Sequence, residues 1–84
     1  MIINERTFKD VYNDYFETIC RFLNYYTRDY QVIEEVVQDV FVCLWEDYEG
    51  QEIQYIKTFL YNSARNRMLN YLRDEDNHTV LLEK

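Results

Sequence analysis

Asn62, Asn66 and Asn70 recur at every fourth position of a stretch, Gln54 to Arg73, that contains no acidic residue. Asparagine is a weak helix former, so three on one helical stripe need a reason beyond propensity. Each side chain offers donors and an acceptor, which suits reading the edge of an unpaired base, and Phe59 at the head of the stripe is suited to stacking. Lys57, Arg65, Arg67 and Arg73 lie among them, interleaved with Tyr55, Tyr61 and Tyr71. Cations beside tyrosines fit phosphate contacts and packing on sugars or bases. By itself the pattern leans to a purely structural use, with one Asn bonding a nearby loop and the rest solvated.

A second set, Glu35, Gln38, Asp39, Val42 and Trp45, is spaced by three, four and seven residues and so aligns on a helix. Two carboxylates, an amide and apolar surface presented together describe a protein-docking face. The same residues also fit a solvated face with Trp45 turned into the core.

Nothing points to catalysis. No nucleophile with its base, metal cluster or phosphate loop is present in the sequence. Glu35 and Asp39 share a face, but carboxylate-bridged metal sites in helical bundles add Glu-x-x-His pairs, and the only histidine, His78, sits in a polar tail. Cys20 and Cys43 lie among apolar residues and are expected to be reduced core cysteines. The expectation is a non-enzyme with no metal, cofactor or small-molecule substrate.

The elements that position these residues emerge from apolar spacing. Phe8, Val11/Tyr12, Tyr15/Phe16, Ile19/Cys20, Leu23 and Tyr26 predict a first helix from about Glu5 to Tyr26, with Thr27 or Asp29 capping the helix after it. Ile33, Val36/Val37, Val40, Leu44 and Tyr48 predict a second from about Asp29 to Tyr48. Its β-branched residues are weak helix formers, so packing must hold it. The only glycine, Gly50, marks a loop over Tyr48–Glu52. Ile56, Leu60, Ala64, Met68 and Leu72 predict a third helix from about Ile53 to Arg73, ending in an acidic tail whose Val80, Leu81 and Leu82 have no periodic context.

With no proline, 48% hydrophobic and 18% aromatic residues, the chain reads as an all-α, compact three-helix domain; a break near Arg28 or Asn62 would make four. Eighty-four residues form one small domain that buries roughly 60–65% of its unfolded surface. No secretion signal or apolar run of membrane-spanning length is seen, and a cytoplasmic location is expected. The net charge of −7 argues by itself against nucleic acid, but its distribution reverses that inference. Residues 1–50 set eleven Asp and Glu against Arg6, Lys9, Arg21 and Arg28, so an acidic body is joined to one basic helix.

Taken in order from about Phe8 to Arg73, the chain resembles region 2 of extracytoplasmic-function sigma factors. Phe8-x-x-x-Tyr12-x-x-x-Phe16, followed by Asp29-x-x-x-x-Glu34-Glu35-x-x-Gln38-Asp39-x-Phe41-x-x-Leu44-Trp45, is similar to the family's polymerase-binding segment. Phe59-Leu60-Tyr61-x-x-Ala64-Arg65-Asn66-x-x-x-Asn70-Tyr71-Leu72-Arg73 is similar to its promoter-recognition helix. Ile33 and Glu35 stand where the family commonly has Ala and Asp, and Phe59 where it commonly has the melting Trp.

The resemblance implies a transcription initiation domain that recognises and melts the promoter minus-ten element. Glu35, Gln38 and Asp39 would dock on the clamp coiled coil of the polymerase largest subunit, buttressed by Phe41 and Trp45. Asn66 and Asn70 would face a base flipped from the non-template strand, and the loop Glu49 to Tyr55 would form part of that pocket. Phe59 and Asn62 join this DNA-binding set, with Lys57, Arg65 and Arg73 on phosphates. An anti-sigma protein is a further partner the family admits. Residues 1–74 would form region 2 and 75–84 the start of a linker to region 4, making the chain a fragment. The rival reading is an acidic helical adaptor that binds only protein, and the aligned asparagines on an acid-free helix speak against it.

Overall fold

Asn4 closes a short extended segment and caps the first helix: its Oδ1 accepts the Thr7 N–H at 3.0 Å, and the Thr7 hydroxyl accepts the Asn4 N–H at 2.8 Å. This reciprocal box satisfies two amides that the helix start would otherwise leave unpaired. The computed structural model describes the backbone of residues 1–83 and the side chains of residues 1–73. The side chain of His78 therefore lies outside the described residues. Three helices account for most of the chain, α1 (Glu5–Leu23), α2 (Tyr30–Tyr48) and α3 (Ile56–Glu83).

α1 stops three residues short of the expected Tyr26. The Tyr25 and Tyr26 amides donate to carbonyls three residues back, Phe22 and Leu23, at 3.3 and 2.9 Å, a tightened turn that ends the α-helical ladder. Both expected caps then contribute to α2: the Asp29 carboxylate accepts the Gln31 N–H at 3.1 Å, and the Thr27 hydroxyl accepts the Asp29 N–H at 3.2 Å.

Each helix packs against both others. Val11, Ile19 and Leu23 of α1 meet Ile33, Val37, Val40 and Leu44 of α2 and Leu60, Ala64 and Met68 of α3 in one core, every one of them almost fully enclosed. Burial of such side chains contributes roughly 1.5–3 kcal/mol each, which is what holds the valine-rich α2 in a helix. α2 also buries Val32 and Phe41, a broader front than the expected stripe, because it lies against two helices. Ile56 and Leu72, expected as core, are half-buried.

The third helix corrects the expectation of an end at Arg73. It continues to Glu83, so the stretch read as an acidic tail is helical in backbone, including Val80, Leu81 and Leu82. No glycine or proline follows Gly50, and Asp, Asn and Thr are only modestly unfavourable in a helix, so nothing in this stretch terminates it. α3 also passes Asn62 without a break, leaving three helices rather than four.

Residues 1–3 form two isolated bridges with the α2–α3 loop, Ile2 opposite Glu52 and Ile3 opposite Glu49. Gly50 turns that loop with a φ of 78°, the left-handed conformation glycine adopts without penalty. The two cysteines differ: Cys20 is buried, whereas Cys43 is half-exposed at the flank of α2, a correction to its expected core position.

Candidate functional site

On α2, Glu35, Gln38 and Asp39 project into solvent, and among the described residues no hydrogen bond or ion pair holds them. Val42 follows on the same face, 51% exposed. Beneath this face lies an aromatic cluster contributed by two helices. Phe41, only 2% exposed, meets Tyr12 at a ring separation of 4.9 Å, Phe8 at 6.2 Å and Phe16 at 6.5 Å. Trp45 packs edge-on against Phe8 at 5.3 Å and is half-buried. Phe41 is thus mainly a support that meets the surface only at the floor of a groove, and Trp45 is both support and surface.

An open groove of about 560 Å³ runs between α1 and α2 above these rings, lined by Phe8, Tyr12, Phe41, Val42 and Trp45 with Gln38 at its edge. Glu5 and Glu46 also line it, so apolar surface is bordered by negative charge. An apolar centre with a charged rim is the composition of a protein-docking face.

On α3, Asn62, Asn66 and Asn70 are all exposed along one stripe, and Lys57, Arg65, Arg67 and Arg73 are exposed around the same helix, with Arg73 in line with the asparagines. The Arg73 guanidinium donates to Asn70 Oδ1 at 3.0 Å. Among the described residues, none of these cations pairs with an acidic side chain. Phe59 is half-buried and packs in a T-shaped contact with Tyr48 at 4.9 Å, so part of its ring is committed to the end of α2. Tyr61 likewise packs on Phe22 at 4.8 Å, while Tyr55 in the loop is largely exposed.

Helical rise separates the members of the stripe. At about 1.5 Å per residue, Asn62 lies ~9 Å, Asn66 ~15 Å and Asn70 ~21 Å along the axis from Ile56, where the loop joins. Stacked nucleotides repeat every ~3.4 Å along a strand, so the stripe from Asn62 to Asn70 spans the length of about three to four stacked nucleotides.

Cys43 stands between the two faces. Its thiol donates to Asp47 Oδ2 at 3.1 Å, and that bond, with burial, pushes its pKa upward, opposed by nearby Arg67.

The segment Met1–Ile3 has no counterpart in the expected site. Its signal was present in Ile3 and Phe8, which flank the Asn4–Thr7 box at the spacing of a hydrophobic staple. What no local pattern announces is its partner, since Ile3 bonds to Gly50 and Gln51 across the whole length of α1 and α2.

Among the described residues, no helix is long and apolar enough to cross a membrane, and no group of three or more His, Cys, Asp or Glu is arranged to hold a metal. Neither a search of curated proteins nor a search of solved structures returns a match. The family model of Sigma-70 region 2 matches residues 11–78, taking in all of α2 and the part of α3 that bears the asparagines and cations, and the chain therefore belongs to this family, whose domains bind RNA polymerase and take part in promoter melting.

Proposed function

We propose that the chain is region 2 of an extracytoplasmic-function sigma factor, with two working faces. Glu35, Gln38 and Asp39 dock on the clamp coiled coil of the polymerase largest subunit, while Phe41 and Trp45 keep that face rigid from below. The α3 stripe binds the non-template strand of the minus-ten element: Asn66 and Asn70, with Asn62, read the edges of unpaired bases, and Lys57, Arg65 and Arg73 hold phosphates. The loop Glu49 to Tyr55 receives a flipped base at the head of α3, and the exposed part of Phe59 supplies stacking beside it.

The observation that carries this reading is the exposure of three aligned asparagines and four cations on a helix that has no acid from Gln54 to Arg73, within a chain of net charge −7. Acidic surface elsewhere repels duplex DNA and so directs it to that face. Trapping an unpaired base needs stacking worth roughly 1–3 kcal/mol and fixed edge readers to offset unstacking. The domain has no catalytic part in this scheme.

The test has two arms. Pull-down of polymerase core by the chain should succeed, and should fail with Gln38→Ala plus Asp39→Ala. Forked or bubble promoter DNA should then bind the reconstituted complex with a preference at minus-ten positions. Core binding without any DNA contribution from α3 would favour the protein-only adaptor instead.

A further inference from the structure

The α2–α3 loop is held by the end of α2, where the Gln51 N–H donates to the Tyr48 carbonyl at 2.9 Å and the Gln51 side-chain amide to the Asp47 carbonyl at 3.0 Å, and also by a segment outside both helices. The Ile3 N–H donates to the Gln51 carbonyl at 3.0 Å, the Gly50 N–H donates to the Ile3 carbonyl at 2.6 Å, and the Ile53 N–H donates to the Met1 carbonyl at 2.8 Å. Ile3 is completely buried and Ile53 nearly so, both within the common core. The Thr7 hydroxyl donates to the Ile2 carbonyl at 2.6 Å, which ties the extended segment to the first turn of α1. Gly50 lets the loop turn toward this segment, and a Cβ there would meet nothing within 4 Å, so its conformation and not its space is what the position demands.

We propose that Met1–Ile3 is a strap that fixes one conformation of the loop, making Ile3 and Gly50 positioning residues for the base the loop receives. The inference rests on the assignment of that loop to a flipped base. A loop reads a base only if its groups are already in place when the base arrives, because ordering them on binding would cost the affinity that discrimination depends on. The strap supplies that order with three backbone hydrogen bonds and one buried side chain. With the strap in place Tyr55 remains exposed.

Amide exchange and promoter binding test it together, on the full chain assembled with polymerase core. Gly50→Ala, which imposes a strained left-handed alanine without crowding, and Ile3→Ala should each speed exchange at the Ile53 amide. Each should also narrow discrimination at one minus-ten position by about tenfold, the size of one or two lost hydrogen bonds. Core affinity and the salt dependence of DNA binding should stay as they were. Gly50→Asn, whose side chain tolerates the left-handed region, and Ile3→Val should restore both readouts most of the way. Should Ile3→Ala fail to fold, the Gly50 pair carries the test alone.

Faster exchange with undiminished discrimination in Gly50→Ala overturns the proposal, as does unchanged exchange. Asn66→Ala separates that failure from a failure of the underlying assignment. If it narrows discrimination while the strap variants do not, only the strap's role falls; if none of the variants alters discrimination, the base-reading assignment falls with it.

Discussion

The Arg73 guanidinium donates to Asn70 Oδ1 at 3.0 Å, one helical turn apart on α3. Arginine has only donors, so the group facing it must be the carbonyl oxygen of Asn70, and the amide nitrogen is left pointing outward. Asn70 therefore presents donors, and its orientation depends on the residue assigned to phosphate. Asn70→Ala and Arg73→Ala should consequently be non-additive in promoter binding, with a coupling of at least about twofold, as for residues in contact. A double-mutant cycle measured on bubble DNA checks this. Full additivity would mean that the pair dissolves when DNA binds.

The aromatic cluster sets an order of stabilities. Phe41 is 2% exposed and meets three rings of α1, so Phe41→Ala should cost about 3–5 kcal/mol. Trp45 is half-buried and packs against Phe8, so Trp45→Ala should cost less, roughly 2 kcal/mol. Urea unfolding of the two variants gives the comparison. An equal or larger loss at Trp45 would contradict the geometry.

On the α2 face proposed to dock on polymerase the expectation is the reverse, a large functional effect with little structural one. Glu35→Lys and Asp39→Lys alter exposed positions without partners among the described residues, so stability should move by no more than about 0.5 kcal/mol. Association with polymerase core should be lost. Thermal melting and core pull-down on the same preparations decide it, and a large drop in melting temperature would place these carboxylates in a structural network instead.

The two thiols are protonated more firmly than a free cysteine, for different reasons. Burial, followed by the charges of Glu34 and Glu17, raises the pKa of Cys20, while Cys43 is raised first by its hydrogen bond to Asp47. Asp47→Asn should therefore speed alkylation of Cys43 below pH 8, and Arg67→Ala should slow it, since the thiolate is the reactive form. Cys20 should respond to neither. A thiol whose pKa is higher folded than unfolded contributes full stability below the unfolded value, and that contribution is lost as pH rises from there through the folded one. Stability should therefore begin to fall as pH rises through the ordinary cysteine range.

What was legible in the sequence was local. Leu60, Ala64 and Met68 are buried as their spacing implies, because a helix converts period into face without reference to anything distant. Phe41 escapes the periodic stripe of α2, since its burial depends on Phe8, Tyr12 and Phe16 of another helix. Ile3 escapes for the same reason more strongly, its backbone partners being Gly50 and Gln51. The end of α3 is hidden because Asp74, Glu75 and Asp76 look like the start of a tail, although a charge run stops a helix only where a glycine, a proline or a cap joins it. The two faces of the candidate site are visible as stripes; the groove and the strap beside them are not, because both are made between elements.

Base reading and charge attraction on α3 can be told apart at Asn66 and Arg65, neighbours in sequence whose side chains, among the described residues, share no hydrogen bond. A neutral amide releases no counterions, so Asn66→Ala should leave the salt dependence of promoter binding nearly untouched while relaxing preference at one minus-ten position. Arg65→Ala should do the opposite, weakening all sequences about equally and lowering the salt slope by about one unit for the lost phosphate contact. These positions are cleaner probes than Asn70 and Arg73, whose mutual hydrogen bond mixes the two effects. The measurement is binding of bubble DNA to the reconstituted complex across a series of minus-ten variants at several salt concentrations. A uniform loss in Asn66→Ala, or none, would make the stripe a scaffold and leave base selection to the loop between Glu49 and Tyr55.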